Sequence, residues 1–304
     1  MVIAGLINLE TTVRIASFPL DYAPVRYPLN GVRSTVSGVG YNLALALHTL
    51  GQPVQLLSLV GADDAGALVR QSLIRAGLSD AHVLDGLSAT PQSVILYDGT
   101  GRRQIHVDLK NAQDMAYPVE RLRPAGLGAG LAVLCNVNFT RPLLREAARL
   151  GLWVATDVHT LGDLDDDYNR DYMAAAKILF MSDENLPTSP EDWARAVAGR
   201  YGNEIIVIGL GGQGALLYVR RDDFIGRFPA QAVRPVVNTI GAGDALFASF
   251  LAGYWPTRNP YRALRRALLF AGYKVGGTGA ADGFLTADEL EQHVKQFDAE
   301  AADG

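Results

Sequence analysis

The sequence predicts a single doubly wound α/β domain over residues 1–304, a mostly parallel sheet flanked by helices and carrying a small β-sheet lid. Three observations carry this reading. Short apolar runs, among them Val2 to Ile7, Gln55 to Val60, Leu131 to Leu134 and Ile205 to Ile208, alternate with helix-length segments, as expected of strands buried on both faces. The alternation lapses twice, over about 11–36 and 81–110, where β-prone segments and turns replace helices. No repeat, linker or low-complexity tract divides the chain.

Composition narrows the function classes. Hydrophobic residues make up 49% of the chain and charged ones only 19%, which suits a globular domain and not a disordered one. A net charge of −5 gives no electrostatic case for nucleic acid or an anionic membrane as partner. The single cysteine, Cys135, excludes an intramolecular disulfide and any multi-cysteine metal site, so a reducing cytoplasm is expected. The five histidines form no ligand-spaced cluster and are expected to be structural. The N-terminus has no basic segment and too short an apolar run for a signal peptide or membrane span, and reads as the first strand.

Taken in order, Val2 to Ile7 is a central strand, and Asn8 and Glu10 stand just past its carboxyl end, where open α/β sheets bind ligands. Residues 11–36, with prolines at 19, 24 and 28 and the β-prone Val32 to Val36, form the first lid excursion. Ser37-Gly38-Val39-Gly40-Tyr41-Asn42 opens the helix Leu43 to Leu50, stopped by Gly51-Gln52-Pro53. Gly61 to Gly66 leads into a helix over Ala67 to Ala76. In the second excursion, Asp98-Gly99-Thr100-Gly101 between two β-prone runs is a hairpin signal. Alternation resumes through strands 131–134, 153–156, 178–181 and 205–208 with helices 141–150 and 191–199. A second hairpin over 216–228 and helices over 261–275 and 287–297 complete the chain.

The segment Asn238-Thr239-Ile240-Gly241-Ala242-Gly243-Asp244 precedes the apolar run Ala245 to Gly253 and reads as a glycine turn opening a buried helix. Gly241 and Gly243 leave room for a ligand to reach the backbone, and the free N–H groups of a first helical turn favour an anion. Asp244 would repel that anion. A carboxylate there makes sense as the base for a hydroxyl attacking phosphorus, and equally as an ordinary acidic first-turn residue.

Taken together, these motifs resemble the ribokinase-like (PfkB-type) carbohydrate kinases over nearly the whole chain. The family's Asp-Thr-x-Gly-Ala-Gly-Asp is matched by residues 238–244, its Gly-Gly-x-Gly-x-Asn by Ser37 to Asn42, and its Val-Gly-x-Asp-x-x-Gly by Val60 to Gly66. The resemblance implies an ATP-dependent kinase of a free sugar, or alternatively of a nucleoside, with Asp244 as base and the N–H groups of Gly241, Ala242 and Gly243 as anion hole. It places the acceptor on Asn8, Glu10, Gly38, Gly40 and Asn42. The nucleotide falls on Gly211, Gly212, Gly214, Thr239, Gly241 and Gly243, flanked by residues 271–279.

Departures from the family pattern set further expectations. Glu10 stands where Asp is common, Ser37 replaces a glycine, and the family's Asn-x-x-Glu falls on Ser182 to Asn185, leaving Glu184 as the candidate Mg²⁺-organising carboxylate. Asn238 is neutral where relatives that bind a monovalent cation carry Asp, so little or no potassium activation is expected. Val39 stands where relatives acting on sugar phosphates often carry Lys, which points to an unphosphorylated acceptor; Arg33 and Arg103 are the other candidate phosphate partners. Tyr41 and Tyr97 are candidate stacking faces for a base. The lid's edge strands offer a route to a homodimer. A non-catalytic binding protein keeping the fold is the second class. A dinucleotide oxidoreductase is poorly supported, because no Gly-x-Gly-x-x-Gly follows Ile7.

Overall fold

The computed structural model describes residues 1–303. The chain begins with β1 (Val2–Ala4), β2 (Asn8–Arg14) and β3 (Val32–Ser37), then runs through α1 (Val39–Thr49), β4 (Gln55–Gly61), α2 (Asp64–Arg75) and β5 (Val83–Leu87). The hairpin β6 (Gln92–Tyr97) and β7 (Arg103–Asp108) and a short α3 (Leu122–Ala125) follow. Next come β8 (Leu131–Leu134), α4 (Arg141–Arg149), β9 (Trp153–Asp157), α5 (Arg170–Ala175), β10 (Ile178–Ser182), α6 (Pro190–Tyr201) and β11 (Ile205–Gly209). The hairpin β12 (Ala215–Val219) and β13 (Phe224–Phe228) precedes α7 (Ala242–Thr257), α8 (Pro260–Lys274) and α9 (Ala287–Asp303).

Among the described residues the large sheet has nine strands in the order β13-β12-β11-β10-β9-β8-β1-β4-β5. It is parallel from β11 to β5, and only the β12–β13 hairpin at one edge is antiparallel. Strand order reverses at β1, whose neighbours are β4 and β8. The crevice past its carboxyl end is where such sheets bind ligands.

The side-chain alternation of β1 feeds two cores: Ile3 joins the cluster under α1, α7 and α8, while Val2 and Ala4 join the cluster under α4 and α6. α7 is apolar almost all round because it lies between sheet and α8; Phe247 and Phe250 pack on Phe180 with ring centroids 4.5 and 5.3 Å away. Truncating such a ring typically costs about 3–5 kcal/mol, which fixes the helix that carries the glycine turn.

The first strand stops at Ala4 and not at Ile7. A Cβ on Gly5 would lie 2.5 Å from Cys135 Sγ and 2.8 Å from Gly40 Cα, so the chain gives up the sheet here to let α1 approach. It is then taken up at once by the second sheet, of order β3-β2-β6-β7, so Asn8 and Glu10 belong to the lid. β5 pairs in parallel with β4 in the large sheet, so the second lid segment begins at Gln92 and not near 81. α2 starts at Asp64, earlier than Ala67, because Asp63 caps it by accepting from Gly66 N–H at 2.8 Å. Among the described residues no helix is long and apolar enough to cross a membrane.

Candidate active site

The glycine turn lies at the start of α7. Gly241 has φ 75°, and a Cβ there would fall 2.4 Å from the carbonyl oxygen of Ala280, so the backbone itself requires glycine. Gly243 differs: a Cβ there would meet nothing within 4 Å, and the residue is exposed. Its missing side chain leaves the helix end open from outside. Among the described residues the backbone N–H groups of Gly241, Gly243 and Asp244 have no acceptor. The expected donor set is corrected at Ala242, whose N–H is taken up by Thr239 C=O at 3.2 Å in the turn. Asn238 braces the same turn, accepting from Ile240 N–H at 2.7 Å and donating to Thr278 C=O at 3.1 Å.

Asp244, half-buried in the first turn, accepts from Asn42 Nδ2 at 2.7 Å through one carboxylate oxygen. A hydrogen-bonded row leads from it into the lid. Ser37 Oγ lies 3.3 Å from Asn42 Oδ1 and 3.1 Å from Glu10 Oε2, so one hydroxyl proton is shared between two acceptors. Asn8 Nδ2 donates to Ser93 Oγ at 2.8 Å. Asn8 Oδ1 and Glu10 Oε1 are buried and have no partner in the protein. Unpaired buried acceptors cost stability and call for donors from a ligand. Burial raises the Glu10 pKa against the Ser37 hydrogen bond, with Asp244 adding to the rise. Burial likewise raises that of Asp244, opposed by the Asn42 hydrogen bond and by His159.

The other expected residues divide by role. Gly38 and Gly40 line the strand-to-helix connection, where a Cβ would come within 2.6 Å of Leu6 O and of the Gly5 carbonyl carbon respectively. Backbone packing alone therefore demands both. Gly214, with φ 103° and a Cβ position 2.0 Å from Phe228 O, is likewise held by packing of the hairpin. Gly211 and Gly212 are exposed with open space around them. Glu184 is exposed on the rim of a cleft shared with Thr239, Arg103 and Phe18. Tyr41 is corrected: at 6% exposure it belongs to the core under α1 and offers no face to a ligand. Tyr97 is half-buried at the end of β6, an interior strand of the lid, and Val39 packs against the core.

Two contacts bring the lid down on the site. Arg103 Nη1 donates to Thr239 Oγ1 at 2.7 Å, and Arg33 Nη1 pairs with Asp282 at 2.6 Å while also donating to Thr278. Ile95 of β6 buries itself against Ile240 and Ala280 between them.

Sequence reasoning missed two residues. His159, at φ 59° just past β9, acts on Asp244 electrostatically, and its place at a strand's carboxyl end was the available signal. Lys274, completely buried at the end of α8, donates from Nζ to the Ile240 carbonyl. Its one signal in the sequence is spacing, since it stands seven residues after buried Ala267 and four after Phe270 on the apolar face of α8.

Among the described residues no three His, Cys, Asp or Glu side chains converge on a possible metal position. A divalent ion here would have to arrive with a triphosphate and keep most of its water, a mode that suits Mg²⁺ and needs only a carboxylate such as Glu184 beside it.

Residues 13–125 and 146–287 match the family described as pfkB family carbohydrate kinase. Among curated relatives, the acarbose 7(IV)-phosphotransferase of an Actinoplanes species is 27% identical over 256 residues, 84% of each chain. The ATP-dependent ribose-1-phosphate kinase of Halopiger xanaduensis is 28% identical over 310 residues, covering 96% of this chain and 97% of its own. Among solved structures, a microbiome-derived acarbose kinase superposes with a TM-score of 0.86 at 25% identity, covering 96% of this chain and 97% of its own.

Proposed function

The chain belongs to the PfkB family of carbohydrate kinases, and from that premise we propose that it transfers the γ-phosphoryl group of Mg²⁺-bound ATP to a hydroxyl of an unphosphorylated sugar, with Asp244 as base. The observation that carries this reading is the placement of the Asp244 carboxylate beside three unpaired N–H groups, those of Gly241, Gly243 and Asp244 itself. One Asp244 oxygen is occupied by Asn42; the other is available to take the hydroxyl proton as the new O–P bond forms and ADP leaves. The free N–H groups stabilise the oxygens of the transferring phosphoryl group. Glu184 would be the protein-side carboxylate beside a triphosphate-bound Mg²⁺, which when bound would offset the charge of the triphosphate, and Gly211 and Gly212 would border the nucleotide.

The acceptor side fits a polyol. Asn8 Oδ1 and Glu10 Oε1 are unpartnered acceptors in the lid, suited to sugar hydroxyl donors. A second phosphate beside Glu10 would meet repulsion, Val39 offers it no charge, and Arg33 is already paired with Asp282. Tyr41, buried in the core, offers no stacking face, which favours a sugar over a nucleoside. Potassium activation is expected to be weak. The lid edge β7 leaves Ile105 and Val107 about half exposed on the face that carries buried Ile95, and a second copy of the chain pairing there would cover them. A reducing cytoplasm suits the buried free Cys135.

A coupled ADP-release assay over free pentoses, hexoses, oligosaccharides, nucleosides and sugar monophosphates tests the reading. A neutral sugar should be preferred. Preference for a sugar phosphate over every neutral acceptor would overturn the acceptor assignment.

A further inference from the structure

α7 begins at Ala242 with Gly241 as its N-cap, and at φ 75° Gly241 turns the preceding Ile240 carbonyl out of the helix, away from any i to i+4 partner. That carbonyl accepts from the Lys274 ammonium, and Asp244 N–H, like that of Gly243 in the same first turn, has no acceptor among the described residues. Lys274 is 0% exposed and forms no ion pair among the described residues. Burying an ammonium without a directly paired carboxylate costs stability, so packing gives no reason to keep one here in place of an apolar residue. The charged groups around it are Asp244 on α7, Asp282 in the loop after α8, Glu10 on β2 and Arg103 on β7.

We propose that Lys274 is a positioning residue, a built-in cation that pins the Ile240 carbonyl and with it the left-handed turn at Gly241, so that the free N–H groups of Gly241, Gly243 and Asp244 stay presented to the anionic substrate. Without it, the Ile240 carbonyl would be left unpaired in a dry site. The turn at Gly241 that presents the anion-hole donors would then lose its anchor. The ammonium also offsets the carboxylates gathered there, which keeps a second negative charge, the phosphoryl group, tolerable. Burial lowers its pKa to about 8, against the pull of Asp244, Asp282 and Glu10, so at neutral pH it is mostly charged.

The inference rests on the kinase reading, and the test separates the two. Lys274→Ala removes Cγ, Cδ, Cε and Nζ and leaves a cavity with room for an ammonium ion facing a carbonyl, whereas Lys274→Met fills most of the same space without charge. In sodium buffer both variants should lose about 10²-fold in kcat, the usual scale for one anion-hole donor, with acceptor KM changed less than about threefold. Ammonium chloride should restore Lys274→Ala saturably but not Lys274→Met, and should leave the unmutated enzyme unaffected. The acid limb of the kcat profile should move to higher pH in Lys274→Met, since the ammonium favours the ionised form of Asp244. Unchanged kcat in either folded variant, or a loss in Lys274→Ala that ammonium relieves no better than sodium, would overturn the role. Should the unmutated chain turn over no acceptor, the kinase reading fails by itself. The cavity is then read by melting temperature: at ten times its dissociation constant, ammonium should raise that of Lys274→Ala by about 2 °C over equal sodium, and no rise would overturn the proposal.

Discussion

Replacing Gly243 by alanine should make the protein slightly more stable and much less active. A Cβ on Gly243 meets no atom within 4 Å, and the residue lies in α7 at an ordinary helical φ. The added methyl therefore strains nothing, and reduced unfolded-chain entropy should stabilise by about 0.4–1 kcal/mol. That corresponds to a rise of roughly 0.5–2 °C in melting temperature for a chain of this size. The same methyl stands in the open space through which an anion must reach the N–H groups of Gly241, Gly243 and Asp244. Displacing a reacting phosphoryl group by about 1 Å is enough to lower the rate by about 10²-fold. Gly241→Ala is the contrast. At φ 75° and with a backbone oxygen 2.4 Å from the Cβ position, it should lower both the melting temperature and kcat. Thermal melts read beside coupled ADP release separate the two. A Gly243→Ala protein of normal kcat would show that the open end of α7 is not where the phosphoryl group sits.

Further outcomes follow from the same geometry. Because burial holds the Asp244 pKa above the ordinary aspartate value, and the base must be unprotonated, kcat should fall with decreasing pH at a higher pH than an exposed aspartate would give. Asn42→Ala, which removes a hydrogen bond to the ionised form, should push that limb higher still; an unmoved limb in a pH–rate profile would assign it to another group. Excess chelator should abolish turnover and Mg²⁺ should restore it, since the charge of the triphosphate has to be offset and the motifs of the site offer few basic residues to do so; substantial metal-free turnover would contradict this. Ile105→Lys, on the exposed lid edge, should give a monomer by light scattering if two lids pair, and a parent already monomeric would remove the pairing.

The fold was legible because the apolar runs of a parallel sheet are long and the lid breaks their rhythm visibly. Its margins were less so. Gly5 ends β1 for a reason that lies in Cys135 and Gly40, both remote in sequence. β5 reads as lid because Val83 to Leu87 alternates in polarity; it is an edge strand with one neighbour. In the site, Asp244 and its glycines could be read from local spacing, since a helix N-terminus is built from consecutive residues. The division of labour among the glycines could not: Gly38, Gly40, Gly214 and Gly241 answer to backbone contacts, Gly243 to open space, and only packing tells them apart. Lys274 was hidden for the same reason. Its carbonyl partner lies 34 residues away in sequence, and although position 274 falls at helical spacing from buried Ala267 and Phe270, a lysine in the last turn of a helix is ordinarily solvated and favoured there by the helix dipole.

The central claim, that Asp244 removes the proton from the acceptor hydroxyl, is tested most directly by Asp244→Asn. This change keeps the shape of the side chain and leaves the backbone N–H groups in place. With the preferred sugar and Mg²⁺-ATP, kcat should fall by about 10²–10⁴-fold while binding of a non-hydrolysable ATP analogue, followed by calorimetry, changes by less than about threefold. An Asp244→Asn protein that still phosphorylates the sugar at close to the unmutated rate would contradict the mechanism.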